Sequence, residues 1–162
     1  NGICCFSDEL TVNEPIMWAT YADKNNGICL VFKTKKLLFL PVQGITEQGE
    51  YVGGVSKPYK VNYTDTYIDE DPYKKQLNQK SFLTTKSQQW DYEHEYRFIG
   101  AQPGSHYFPK NCLIEVIFGL RTPEDIKGRI KSIASMKYPQ IKIKKVDLVK
   151  NNFRLQIIDD NP

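Results

Sequence analysis

The run Lys86-Ser87-Gln88-Gln89-Trp90-Asp91-Tyr92-Glu93-His94-Glu95-Tyr96-Arg97-Phe98-Ile99-Gly100 decides how the rest of the chain is read. In extended backbone, side chains alternate between faces, so Glu93, Glu95, Arg97 and Ile99 share one face while His94, Tyr96 and Phe98 share the other. The alternation predicts a strand over residues 93–99 that buries Tyr96 and Phe98 and gathers two carboxylates and a guanidinium at a cleft or at solvent. Trp90 and Tyr92, just upstream, are placed to roof a pocket, where desolvation raises carboxylate pKa values. Glu95 and Glu93 are therefore the candidate acids, with Trp90 and Arg97 as candidate binding residues. The same Glu-x-Glu-x-Arg row also fits a solvated strand face, whose exposed ion pairs contribute roughly 0–1 kcal/mol each.

Outward from this strand, residues 71–86 read as a helix opened by Asp71-Pro72, with Leu77, Phe82 and Leu83 as its apolar stripe. Residues 50–63 carry β-type side chains broken by Gly53-Gly54 and Pro58, which predicts a bent strand ending at Val61-Asn62-Tyr63. Residues 33–40 fit a helical turn and a strand equally and stop at Pro41. Nearer the start, Gly2–Ser7 reads as a strand. A short helix follows, capped by Asn13 with Pro15 in its first turn, and Trp18 and Tyr21 share one of its faces. Asp23-Lys24-Asn25-Asn26-Gly27 reads as a turn with positive φ at Asn26 or Gly27, and the apolar run Ile28–Phe32 as a central strand.

Downstream, residues 102–105 read as a turn and residues 112–118 as a buried strand stopped by Gly119. Thr122-Pro123-Glu124-Asp125 predicts a threonine-capped helix to Lys137 that buries Ile126, Ile130, Ile133 and Ala134. Residues 141–144 alternate as a strand, and residues 153–158 form a last strand after a turn at Asn151-Asn152. This order predicts an α+β protein, a mixed, largely antiparallel twisted sheet with about three flanking helices.

Residues 1–162 fit a single globular domain able to bury a core without staples. The net charge of +3 is spread out. The cluster Lys131, Lys137, Lys142, Lys144 and Lys145 is sparser than a nucleic-acid footprint, although nucleic acid stays open as a partner. Cys4, Cys5, Cys29 and Cys112 form no CxxC pair, which predicts buried, reduced thiols and no metal site. No apolar run approaches the ~18 residues of a membrane span, and no basic-then-apolar leader opens the chain, so a cytoplasmic protein is expected. The opening on Asn1-Gly2 without methionine reads as a trimmed start.

Cys5-Phe6-Ser7, Met17-Trp18-Ala19-Thr20-Tyr21-Ala22, the glycine-led strand Gly27-Ile28-Cys29-Leu30-Val31-Phe32, and Lys86-Ser87 followed by Trp90 and Glu93-His94-Glu95-Tyr96-Arg97 form an ordered pattern. It resembles the bacterial family catalogued as domain of unknown function 2971, whose members read CFS, MWxxYA and KSxxWxxExEYR. The match runs from Cys5 to Gly119. Family members carry further residues upstream, so the resemblance implies that this chain is the C-terminal, larger part of a longer family domain.

By fold-level analogy the family is similar to ADP-ribosyltransferase-like proteins, which implies an NAD-using enzyme with a Glu-x-Glu site and NAD as substrate. In that analogy Trp18 or Tyr21 stacks on nicotinamide and Ser7 hydrogen-bonds beside it. Glu95 orients the ribose hydroxyl and stabilises an oxocarbenium-like centre, with Glu93 supporting it. The competing readings are core packing for Trp18 and Tyr21 and a turn role for Ser7. For the whole chain the alternative is a non-catalytic module that binds protein or nucleic acid. A GxGxxG fingerprint is absent, which argues against a dinucleotide oxidoreductase.

Overall fold

A computed structural model of the chain describes residues 2–33, 40–45, 51–56, 58–66, 79–100, 108 and 110–160. In chain order its strands are β1 (Gly2–Ser7), β2 (Ile28–Phe32), β3 (Leu40–Ile45), β4 (Tyr51–Ser56), β5 (Pro58–Lys60) and β6 (Asn62–Thr64). They continue with β7 (Thr85–Ser87), β8 (Glu95–Gly100), β9 (Leu113–Phe118), β10 (Lys142–Leu148) and β11 (Leu155–Asp159). The α-helices among the described residues are α1 (Pro15–Tyr21), α2 (Gln79–Leu83) and α3 (Glu124–Lys137). Most strand pairs are antiparallel, and β6–β7 and β9–β10 are parallel, so the fold is α+β with mixed sheets. The chain divides into two compact units, the first from Asn1–Asp8 and Pro41–Tyr107, the second from Glu9–Leu40 and Phe108–Pro162.

In the first unit β8 lies between β1 and β5. Its ladder with β1 sets Ser7 opposite Glu95 and Cys5 opposite Arg97, while β5 sets Tyr59 opposite Arg97. The pleat then puts Ser7, Cys5, Glu95 and Arg97 on one face and Phe6, Tyr96 and Phe98 on the other. Phe98 is buried, Tyr96 half-buried, and Phe6 meets Phe98 edge-on at 5.3 Å between centroids. The strand starts later than the alternation predicts, because Gln88–Glu93 is a 3-10 helix and His94 is left-handed at φ 44°. The His94 N–H closes that turn on the Asp91 carbonyl at 3.1 Å. Histidine is among the non-glycine residues that tolerate this region.

The bent strand expected over residues 50–63 is three short pieces, β4, β5 and β6. The helix expected to reach Lys86 stops at Leu83, where the Thr84 and Thr85 hydroxyls donate to the Lys80 and Ser81 carbonyls and the chain leaves as β7. Its expected start at residues 71–78, the turn at 102–105 and most of the ambiguous 33–40 stretch lie outside the described residues.

The second unit is the sheet β11-β10-β9-β2. Helix α3 connects the parallel pair β9 and β10. Trp18, Ala22, Ile117, Val146 and Leu155 form its core cluster, with Val12, Cys29, Val31 and Ile157 packed against it. Among the described strands β2 is an edge rather than central. The strand buried along most of its length is β9, through Leu113, Val116, Ile117 and Phe118. Asn13 ends a 3-10 helix instead of capping α1, whose N-cap is Glu14 without a side-chain bond. Along α3, Ile126, Ile130 and Ala134 recur at the four-residue spacing of one face, but Ile133 is left half-exposed.

The turn after α1 takes positive φ at Asp23, Lys24 and Asn25, not at Asn26 or Gly27. It is clamped by the stretch that follows β9: Gly119 N–H donates to the Gly27 carbonyl at 3.0 Å and Arg121 N–H to the Asn25 carbonyl at 2.9 Å. Only glycine fits at 119, since a Cβ there would stand 2.3 Å from the Asn25 carbonyl oxygen. Thr122 belongs to this clamp and is not a helix cap. Its buried hydroxyl lies 2.8 Å from the Gly27 carbonyl and 3.1 Å from that of Gly119, and α3 starts after Pro123 without a side-chain cap. Thr122→Val keeps the shape and removes the donor, so unfolding free energy should fall by about 1–2 kcal/mol with helix content unchanged. An unmoved denaturant midpoint would refute this role.

All four cysteines are free, but only Cys112 is buried and Cys29 half-buried. Cys4 and Cys5 are exposed, contrary to expectation, because β1 is an outer strand of its three-stranded sheet. Among the described residues no helix is long and apolar enough to cross a membrane.

Candidate functional site

The late start of β8 builds the site. The 3-10 turn and left-handed His94 aim Glu93 and Glu95 at one cation, Lys86, although Glu93 is not in the strand. Lys86 Nζ bonds Glu93 Oε2 and lies 3.3 Å from Glu95 Oε2. Arg97 grips the Glu95 carboxylate with two donors, Nε to Oε1 at 2.8 Å and Nη2 to Oε2 at 3.0 Å, and sends Nη1 to the Leu83 carbonyl at 2.7 Å. This fork holds the end of α2 against the start of β8. Tyr63, brought beside Lys86 by the β6–β7 register, accepts the Glu95 backbone N–H on its hydroxyl oxygen at 2.8 Å. Glu93 and Glu95 are 3% and 4% exposed, so this is a buried network and not the solvated row.

Burial alone would raise the Glu95 carboxyl. Hydrogen bonds from Arg97 and the Cys5 thiol, with the charges of Arg97 and Lys86, overcome it and lower the pKa from 4.5 to about 2. The sequence-based expectation of raised carboxylate pKa values is thus reversed at Glu95, because Arg97 and Lys86 pair with it directly. Burial and the bond to Glu95 push the Cys5 thiol up to about 11, which keeps it protonated. For Lys86, burial works against the charge and the two carboxylates outweigh it, so its pKa rises. Glu95 is therefore an anion at neutral pH, held in place by Arg97.

The aromatic corner lies on the solvent side of this network. Lys86 Nζ stands 4.9 Å from the Trp90 ring centroid, and Trp90 and Tyr92 tilt together at 6.0 Å. Trp90 is 39% exposed. Ser7, exposed at the end of β1, faces Glu95 across the ladder.

The first unit thus brings together Ser7, Trp90, Glu93, Glu95 and Arg97. Trp18 and Tyr21 belong to the second unit. Trp18 is 3% exposed in that unit's core, with its indole N–H donated to the Val12 carbonyl at 2.7 Å. Tyr21 is 59% exposed and does not share the buried face of Trp18.

Lys86, Tyr63 and Cys5 join the cluster without having been named as site residues from sequence. Lys86 had a signal, since it heads the Lys-Ser pair before Trp90. Tyr63 had none, because its partner is 32 residues away. Among the described residues no group of three or more His, Cys, Asp or Glu is arranged to hold a metal ion.

Fold and site together define an α+β protein with a charge-balanced, buried ion-pair cluster beside the exposed ring of Trp90. A family model described as "Protein of unknown function (DUF2971)" matches residues 17–98, half of the chain, and the chain belongs to this family. The matched span includes Trp90, Glu93, Glu95 and Arg97. No curated protein and no solved structure matches the chain.

Proposed function

We propose that the first unit binds an NAD-type nucleotide at the Lys86–Trp90–Tyr92 corner and uses Glu95 as a fixed anion toward positive charge on the ligand. The observation that carries this reading is a carboxylate 4% exposed yet held ionised by Arg97 and Lys86, with Lys86 also 4.9 Å from the exposed indole. Buried ion pairs contribute little net stability over well-packed apolar groups, so such a network next to the exposed Trp90 ring is better accounted for by a ligand. Lys86 and Arg97 balance Glu93 and Glu95, which disfavours a bare phosphate trap, and the exposed Trp90 indole suits stacking by a planar ring such as nicotinamide. An ionised Glu95 also suits the stabilisation of an oxocarbenium-like centre when the bond from ribose to nicotinamide breaks.

One observation favours a second reading, a non-catalytic binding module: both oxygens of Glu95 are already held by Arg97. Titrating NAD against the protein by tryptophan fluorescence, with nicotinamide release followed in parallel, separates the two. Binding with release supports the enzyme, and binding without release supports the module. Trp90→Ala should weaken binding about tenfold or more while leaving the melting temperature nearly unchanged, since the ring is largely exposed. Failure of the wild type to bind NAD would sink the proposal.

A further inference from the structure

Tyr63 enters the cluster as an acceptor, through its hydroxyl oxygen. Its oxygen accepts the Glu95 N–H at 2.8 Å, which fixes that lone pair, and no acceptor for its own proton is found among the described residues. The β6–β7 register pairs it with Lys86, and β6 packs against the 3-10 turn that carries Trp90 and Tyr92. A half-buried phenol with a spare donor, on a strand packed against the turn that carries Trp90 and Tyr92, is suited to orient a ligand that offers an oxygen. Burial raises its pKa, so the proton stays in place across the physiological range.

We infer that Tyr63 is a ligand-binding residue of this site, donating its O–H to the carboxamide oxygen of a nicotinamide ring stacked at Trp90. The inference rests on the nucleotide reading above and adds to it the ring substituent that is recognised. Neither aromatic stacking nor the balanced ion pairs distinguish a carboxamide-bearing ring from a bare pyridinium. A directed O–H does, because a ligand without the acceptor leaves the donor unpaired.

The test compares two probes, NAD and the analogous dinucleotide whose pyridinium carries no carboxamide, on the wild type and on Tyr63→Phe. The expected result is that Tyr63→Phe weakens NAD about five- to tenfold more than it weakens the bare-ring analogue. Tyr63→Phe also removes the acceptor for the Glu95 N–H, and loosening from that loss would weaken both probes alike. Equal weakening, or none, would overturn the role of Tyr63 while keeping the site. A wild type that binds neither probe would overturn the nucleotide reading and this inference together.

Discussion

Glu95→Gln should destabilise the first unit by about 2–3 kcal/mol at pH 7, because it strips the shared anion from Arg97 and Lys86 where both are mostly buried. The cost stays near the low end for a broken buried pair, since Lys86 keeps Glu93 and both cations reach some solvent. The same residue fixes an acid limb. Its carboxyl lies at about 2 when folded against 4.5 ordinarily, so its contribution is fully present above 4.5 and is lost as the pH falls toward 2. Allowing for solvent near the partners, that contribution is about 2 kcal/mol. Denaturant midpoints at pH 7, 4 and 2.5 should therefore fall more steeply for the wild type than for Glu95→Gln. Parallel pH profiles would show that the pair with Arg97 carries no stability. Loss of NAD binding in this variant must be read against its unfolding, which makes Trp90→Ala the cleaner probe of the ligand.

The largest single loss is expected at Trp18. Trp18→Ala empties the centre of the second unit's core cluster and deletes the indole bond to Val12, at an expected cost of about 3–5 kcal/mol. Tyr21→Ala, three residues on and exposed, should stay within about 0.5 kcal/mol. Thermal unfolding of the two variants side by side checks the contrast. Comparable midpoints would mean that Trp18 does not hold the core.

Local pattern carried the elements whose cause is local. Gly2–Ser7 and the span of β2 follow from apolar β-type runs. Helix α3 follows from Pro123, the acids of its first turn and its four-residue apolar spacing, and the α+β class follows from the order of such elements. The gathering of Glu93, Glu95 and Arg97 was legible too, because their spacing converges on one side even with a helical turn in place of an extended start.

Long-range partners decided the rest. Thr122 looks like a cap from its neighbours, yet its hydroxyl is engaged by Gly27, 95 residues away. Trp18 and Tyr21 look like a pair, yet the sheet covers one and leaves the other in solvent. The sign of the Glu95 shift turned on where Lys86 and Arg97 came to rest. The sequence by itself determined which groups are available and how each short stretch bends. Only the tertiary structure decided which of them are buried together, because desolvation and ion pairing depend on neighbours that β8 collects from β1, β6 and β7.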